Sequence, residues 1–150
     1  MTTAVTAGMD DLLDVDEIRA VAEQRMPEAY RDFVNNKGMD KTLNDDIDAW
    51  SSIHLRPRAL VDVRDVDTSV TVLGDRISMP IITAPFVGSS FVHAEGEVAT
   101  ARGAVAAGTI TTLSMNGTRP PEQVGAVAAG RYWQQLYCVR DREVVRDVVA

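Results

Sequence analysis

Three short strand candidates recur through the second half of the chain, at residues 81–85, 109–114 and 132–137, with a helix-length stretch rich in Ala and Val between each pair. Each is a run of β-branched or aromatic residues bounded by Gly, Pro or polar positions. The order β-α-β-α-β is the grammar of a parallel sheet, because parallel neighbours need a long crossover and a helix supplies it. A parallel sheet is covered by helices on both faces, and three strands are too few to close a barrel. The expectation is an α/β fold of which this chain supplies the front part, with the last helix cut short at Val148-Val149-Ala150.

Composition narrows the function classes. The 150 residues suffice for one core-bearing domain. At 45% hydrophobic and 25% charged the chain is ordinary for a globular protein, which excludes bulk disorder. The net charge of −7 is uneven: residues 1–67 hold 15 acids against 8 bases, and residues 68–150 hold 7 against 7. No basic stripe exists for a nucleic-acid backbone, so no nucleic-acid partner is expected. Cys138 is the single cysteine, so no internal disulfide forms and a reducing, cytoplasmic home is expected. It reads as a small packed thiol. No apolar run reaches membrane-spanning length, residues 1–10 lack the pattern of a signal peptide, and no metal is expected.

Four segments follow from local signals: a flexible tail at 1–11, a helical segment at 12–67, a β-hairpin at 68–80, and the α/β array at 81–150. Asp14 or Asp16 can cap a first helix with apolar positions Ile18, Val21, Ala22 and Met26. Pro27 fits the first turn of a second helix carrying Tyr30 and Phe33. Residues 35–38 read as a turn, and Thr42 can cap a third helix through Ile47, Trp50 and Ile53. Residues 69–73 and 76–79 read as hairpin strands around a Gly74-Asp75 turn. Glu95 or Glu97 lies near the start of the next helix, which Gly108 ends. Pro120-Pro121 opens another, and Asp141 can cap the last.

In parallel α/β folds ligands bind at the carboxyl ends of the strands. That rule selects residues 84–88, 114–118 and 135–137. They offer backbone N–H groups, the Ser114 hydroxyl, the Asn116 and Gln135 amides and the Tyr137 phenol. This set suits a flat heteroaromatic ring and a small polar substrate. The plainer alternative is that strand-end polar groups satisfy nearby backbone. No catalytic base or nucleophile stands among them, and His93 reads as a loop or helix-entry residue.

From residue 55 onward the chain resembles the FMN-dependent α-hydroxy acid oxidases and dehydrogenases, the family of glycolate oxidase, lactate oxidase and mandelate dehydrogenase. The resemblance is carried by Leu55-Arg56-Pro57-Arg58-Ala59-Leu60-Val61-Asp62-Val63, by Val72-Leu73-Gly74, by Ala84-Pro85, by His93-Ala94-Glu95-Gly96-Glu97-Val98-Ala99-Thr100-Ala101-Arg102, by Leu113-Ser114 and by Gln135-Leu136-Tyr137. It implies a TIM (β/α)8 barrel, of which this chain is the N-terminal portion, and FMN as cofactor. It places the backbone of Pro85, Phe86 and Val87 beside the flavin, and Ser114 and Gln135 in hydrogen bonds to its ring. Tyr137 would face the substrate. The implied activity is oxidation of a 2-hydroxy acid to the 2-oxo acid in a homo-oligomer. The family's His–Arg pair and its Asp and Lys come from later strands, so no catalytic residue is expected within this chain. The C-terminal remainder of the barrel is then an obligatory partner. Two rivals are a non-catalytic half-barrel binding module and another FMN TIM-barrel oxidase of specialised metabolism.

Three pocket positions depart from the family pattern. Phe33 stands where a substrate-binding tyrosine is usual, Asn116 where glycolate oxidase has a tryptophan, and Phe86-Val87-Gly88 where small residues are usual. A pocket that loses a hydroxyl loses the discrimination built on it. The expected substrate is therefore larger than glycolate.

Overall fold

The computed structural model describes residues 11–35 and 40–149, and the chain divides into two compact units, one up to Pro57 and one from Arg58 onward. Residues 1–10 of the expected tail at 1–11 and residues 36–38 of the expected turn lie outside the described residues.

The first unit holds α1 (Val15–Arg25), α2 (Glu28–Val34) and α3 (Asp40–Ser51). Of the two capping candidates, Asp14 does the work: its backbone is extended and its Oδ1 accepts from Glu17 N at 2.9 Å. Glu17 reaches back to accept from Leu13 N at 2.7 Å, one residue outside the usual capping-box position. Pro27 sits one residue ahead of α2, at its N-cap, where its missing N–H costs no helical hydrogen bond. A polar seam joins α1 and α2, with Arg19 Nη2 donating to Asn35 Oδ1 at 3.1 Å and Arg31 Nη1 to Glu23 O at 3.2 Å. No residue of α1 or α2 is buried. Two expectations change. Thr42 does not cap α3, which already begins at Asp40. Helix also stops at Ser51, and residues 53–69 form neither helix nor strand. Pro57 lacks an N–H and biases Arg56 toward extended backbone, in keeping with the irregular stretch after α3.

The second unit opens with the antiparallel hairpin β1 (Val70–Val72) and β2 (Asp75–Ile77), in the register Val70↔Ile77, Thr71↔Arg76, Val72↔Asp75. The turn is Leu73-Gly74, one residue earlier than expected. Both turn residues have positive φ, 48° and 93°. Two-residue hairpins favour this geometry because it matches the twist of the strands.

The parallel pair is β3 (Thr111–Leu113) and β4 (Tyr132–Gln134), in the register Thr111↔Tyr132 and Leu113↔Gln134. The expected first strand at 81–85 forms no ladder of its own, only a parallel bridge at Thr83↔Thr111. Thr83 N donates to Ile110 O at 3.2 Å and Thr112 N to Thr83 O at 3.1 Å. Pro80 precedes this segment and Pro85 ends it, and both lack the N–H donor a ladder would use.

Two crossover helices, α4 (Glu97–Ala106) and α5 (Pro121–Ala128), pack on one face of β3. Ala101, Leu113, Val124 and Ala128 form the buried core, bordered by Val98, Val127 and Tyr132. Gly108, at φ 72°, ends α4 where a side chain would meet Ser78 Oγ at 2.9 Å. The last helix, α6 (Arg142–Val149), is opened by Asp141 Oδ1, which accepts from Glu143 N at 2.9 Å.

Candidate functional site

Side chains alternate along a strand, so the residues just beyond Leu113 and Gln134 point away from the helix-covered core. The parallel register places Ser114 beside Gln135. Gln135 N donates to Leu113 O at 2.9 Å, continuing the ladder, and Ser114 Oγ donates to Gln135 Oε1 at 3.1 Å. The same hydroxyl accepts from Asn116 N at 3.2 Å, and Ser114 is buried at 5% exposure. The plain reading of Ser114 is thus correct as far as it goes: the hydroxyl satisfies local groups. Gln135 is different. Its Oε1 is engaged, and among the described residues its Nε2 makes no hydrogen bond, leaving two N–H donors at the strand end.

Tyr137 lies one alternation further along and is half exposed. Its backbone N donates to Met115 Sδ at 3.4 Å, which ties the end of β4 to the loop after β3, and its hydroxyl is unbonded among the described residues. Asn116 is exposed at the tip of that loop. Pro85, Phe86 and Val87 lead into Gly88, whose φ of 84° swings the chain into a single 3₁₀ turn at Ser89–Phe91. Phe86 is exposed at 51%. Phe33 lies on α2 in the first unit, its ring 5.8 Å from that of Tyr30. Cys138 is exposed rather than packed, because β4 ends at Gln134 and the chain beyond it is irregular and open.

Sequence reasoning missed a second polar cluster. Of the two acids near the start of α4, Glu95 faces outward and pairs with Arg102 through two bonds of 2.8 and 2.9 Å. Glu97 turns inward and is only 6% exposed. Its carboxylate accepts from Thr118 N at 3.1 Å and from Thr118 Oγ1 at 2.7 Å. Thr118 Oγ1 also lies 2.6 Å from Ser90 Oγ. Burial pushes the Glu97 carboxyl up, but the bonds from Thr118 and from the backbone N–H groups of Glu97 and Ser89 prevail and hold it below its ordinary 4.5. The only sequence signal was the spacing Glu95-Gly96-Glu97, which does not say which acid turns inward.

A cavity of about 560 Å³ lies on the opposite face of β4, lined by Leu113, Tyr132, Gln134, Leu136, Val148 and Val149 among others. Gln135 and Tyr137 do not line it, but Ser114, Met115 and Thr118 do, so it adjoins the strand-end group. No helix among the described residues is long and apolar enough to cross a membrane.

Known proteins place this geometry. Glycolate oxidase 1 of Zea mays is 42% identical over 142 residues, covering 94% of this chain and 38% of the relative. Glycolate oxidase of Spinacia oleracea is 42% identical over 140 residues. A peroxisomal (S)-2-hydroxyacid oxidase of Arabidopsis thaliana is 38% identical over 142 residues. Among solved structures, mandelate oxidase superposes with a TM-score of 0.85 at 31% identity, covering 92% of this chain and 40% of that one. The same enzyme has been solved with benzoyl-formic acid and, in a mutant, with a C4a-OH-FMN adduct. The chain spans about two-fifths of the length of the curated relatives it matches. The FMN-dependent dehydrogenase profile covers residues 22–150, most of the chain, and the chain belongs to that family.

Proposed function

We propose that this chain is the front part of an FMN-dependent TIM-barrel enzyme that oxidises a 2-hydroxy acid to the 2-oxo acid. The observation that carries the reading is the Ser114–Gln135 pair. A buried hydroxyl fixes the Gln135 amide by its oxygen and leaves its two N–H donors at the carboxyl end of adjacent parallel strands. That donor set fits the edge of a flat ring bearing carbonyl and nitrogen acceptors, as an isoalloxazine does. The backbone of Pro85, Phe86 and Val87 would border the same ring.

When bound, FMN supplies the acceptor for the hydride equivalent taken from the hydroxyl-bearing carbon. This chain's share is orientation. Gln135 holds the ring edge with Ser114 bracing its amide, Tyr137 offers a phenol to the substrate carboxylate, and Asn116 shapes the substrate end. We assign the base and the carboxylate-binding cations to the rest of the barrel. Phe33 and Asn116 support a substrate larger than glycolate. We further propose a homo-oligomer in a reducing cytoplasmic compartment, which native mass measurement and cell fractionation would decide.

The test is flavin binding and turnover in the complete protein. Wild type should be yellow and should turn over mandelate with a higher kcat/KM than glycolate. Gln135→Leu should weaken FMN affinity by about 1–3 kcal/mol, the loss of a buried hydrogen bond. A colourless wild type would end the enzyme reading. Unchanged FMN affinity in the variant would remove Gln135 from the site, and a preference for glycolate would overturn the substrate assignment.

A further inference from the structure

The two loops that border the candidate site, residues 85–91 after the Thr83 bridge and residues 114–119 after β3, share no ladder of their own. Thr118 ties them directly through Ser90, and one buried carboxylate holds Thr118 in place. Glu97, on the first turn of α4, takes both the N–H and the hydroxyl of Thr118 from the second loop. The Thr118 hydroxyl meets Ser90 in the first loop, 2.6 Å from Ser90 Oγ and 3.3 Å from Ser90 N. Gly96 leaves room for this approach: a Cβ there would stand 2.4 Å from Ser90 Oγ.

We propose that Glu97 is a positioning residue of the flavin pocket, clamping Thr118 and Ser90 so that the loop bearing Pro85–Val87 keeps a fixed distance from the loop bearing Ser114–Asn116. The inference rests on the flavin reading above and deepens it. A carboxylate suits the task because it accepts at several sites and donates at none, so it takes both the N–H and the hydroxyl of Thr118 while that hydroxyl reaches Ser90. Glu97 itself is 6% exposed, which strengthens the bonds that its carboxylate accepts.

The experiment pairs a flavin-free measurement with a flavin measurement on the complete protein, using Glu97→Gln, Thr118→Val and Thr118→Ser. Thr118→Val keeps the shape and removes the hydroxyl; Thr118→Ser keeps the hydroxyl. In Glu97→Gln and Thr118→Val, amide exchange should quicken in both loops together. The FMN Kd should rise about tenfold, a change of about 1.4 kcal/mol, and the visible circular dichroism of the bound flavin should change. Thr118→Ser should restore all three, and the double variant Glu97→Gln/Thr118→Val should be no worse than either single one. Unaltered exchange in the first loop would overturn the clamp. Faster exchange with unchanged FMN affinity and spectrum would leave Glu97 a structural residue only and overturn the positioning role. A wild type that binds no FMN would overturn the functional reading and this inference with it, while the exchange data would still report on the clamp.

Discussion

The two units of this chain are held by different physics. In the unit up to Pro57, order comes from helix ends and surface pairs: the Asp14 cap, the Arg19–Glu23 pair at 3.0 Å and the Arg19–Asn35 bond. Its first two helices bury nothing, and Trp50 and Ile53 stand exposed. In the unit from Arg58 onward, Leu113, Val124, Ala101 and Ala128 are withdrawn from water, and the polar groups that go inside, Ser114, Thr111 and Glu97, are hydrogen-bonded. The difference shows where specificity resides. Local signals suffice to start a helix, but a fixed arrangement of side chains needs burial, and the candidate strand-end group sits in the part that has it.

The largest effect should come from the core. Leu113→Ala removes a side chain 2% exposed at the centre of the second unit and should cost about 2–5 kcal/mol in chemical unfolding. A loss under about 1 kcal/mol would erase the contrast between the units. A smaller effect is expected at the cap. Asp14→Ala should cost α1 about 1 kcal/mol, read as faster amide exchange across residues 15–18 with no change at β3. Spread of that loss into the second unit would break the comparison from the other side. The smallest effect separates the two kinds of carboxylate. The Arg19 bond leads in holding Glu23 below its ordinary value, and the hydrogen bonds to Glu97 hold it low despite burial. A carboxyl with a lowered folded value binds fewer protons folded than unfolded. Its contribution is therefore full above the ordinary 4.5 and lost as pH falls through the folded value. Both should fail in acid. At neutral pH, about 1 M salt should weaken the exposed Arg19–Glu23 pair and leave Glu97 with Thr118 untouched, because screening acts on exposed charges. Equal salt sensitivity at the two sites would mean that Glu97 is wetter than its burial implies.

The legibility of the sequence follows the same divide. The order of strands and helices from residue 97 onward was readable because Pro121, Gly108 and Asp141 punctuate it and the β-branched runs lie at even spacing. That Ser114 and Gln135 stand at strand ends was readable from the rule on strand ends; the bond between their side chains was not. The turn at Leu73-Gly74 was not, because a leucine at positive φ goes against its own preference and is imposed by the twist of the hairpin. The segment 81–85 was overread, since hydrophobic pattern says strand while Pro80 and Pro85 lack the donors. Glu97 was unreadable as a buried group, because its partner Thr118 is 21 residues away and nothing local selects it over Glu95.

The register of β3 against β4 also sets an order in time. The hairpin closes over two residues and can form within microseconds, whereas Ser114 meets Gln135 across 21 residues and Thr83 meets Thr111 across 28. Closing those spans costs entropy before any contact offsets it, and the α5 crossover must fold before the strand ends can align. The strand-end constellation is thus among the last parts of the second unit to acquire its native contacts. Pulse-labelled exchange during refolding should protect Val72 and Ile77, whose amides face the partner strand of the hairpin, before Gln135.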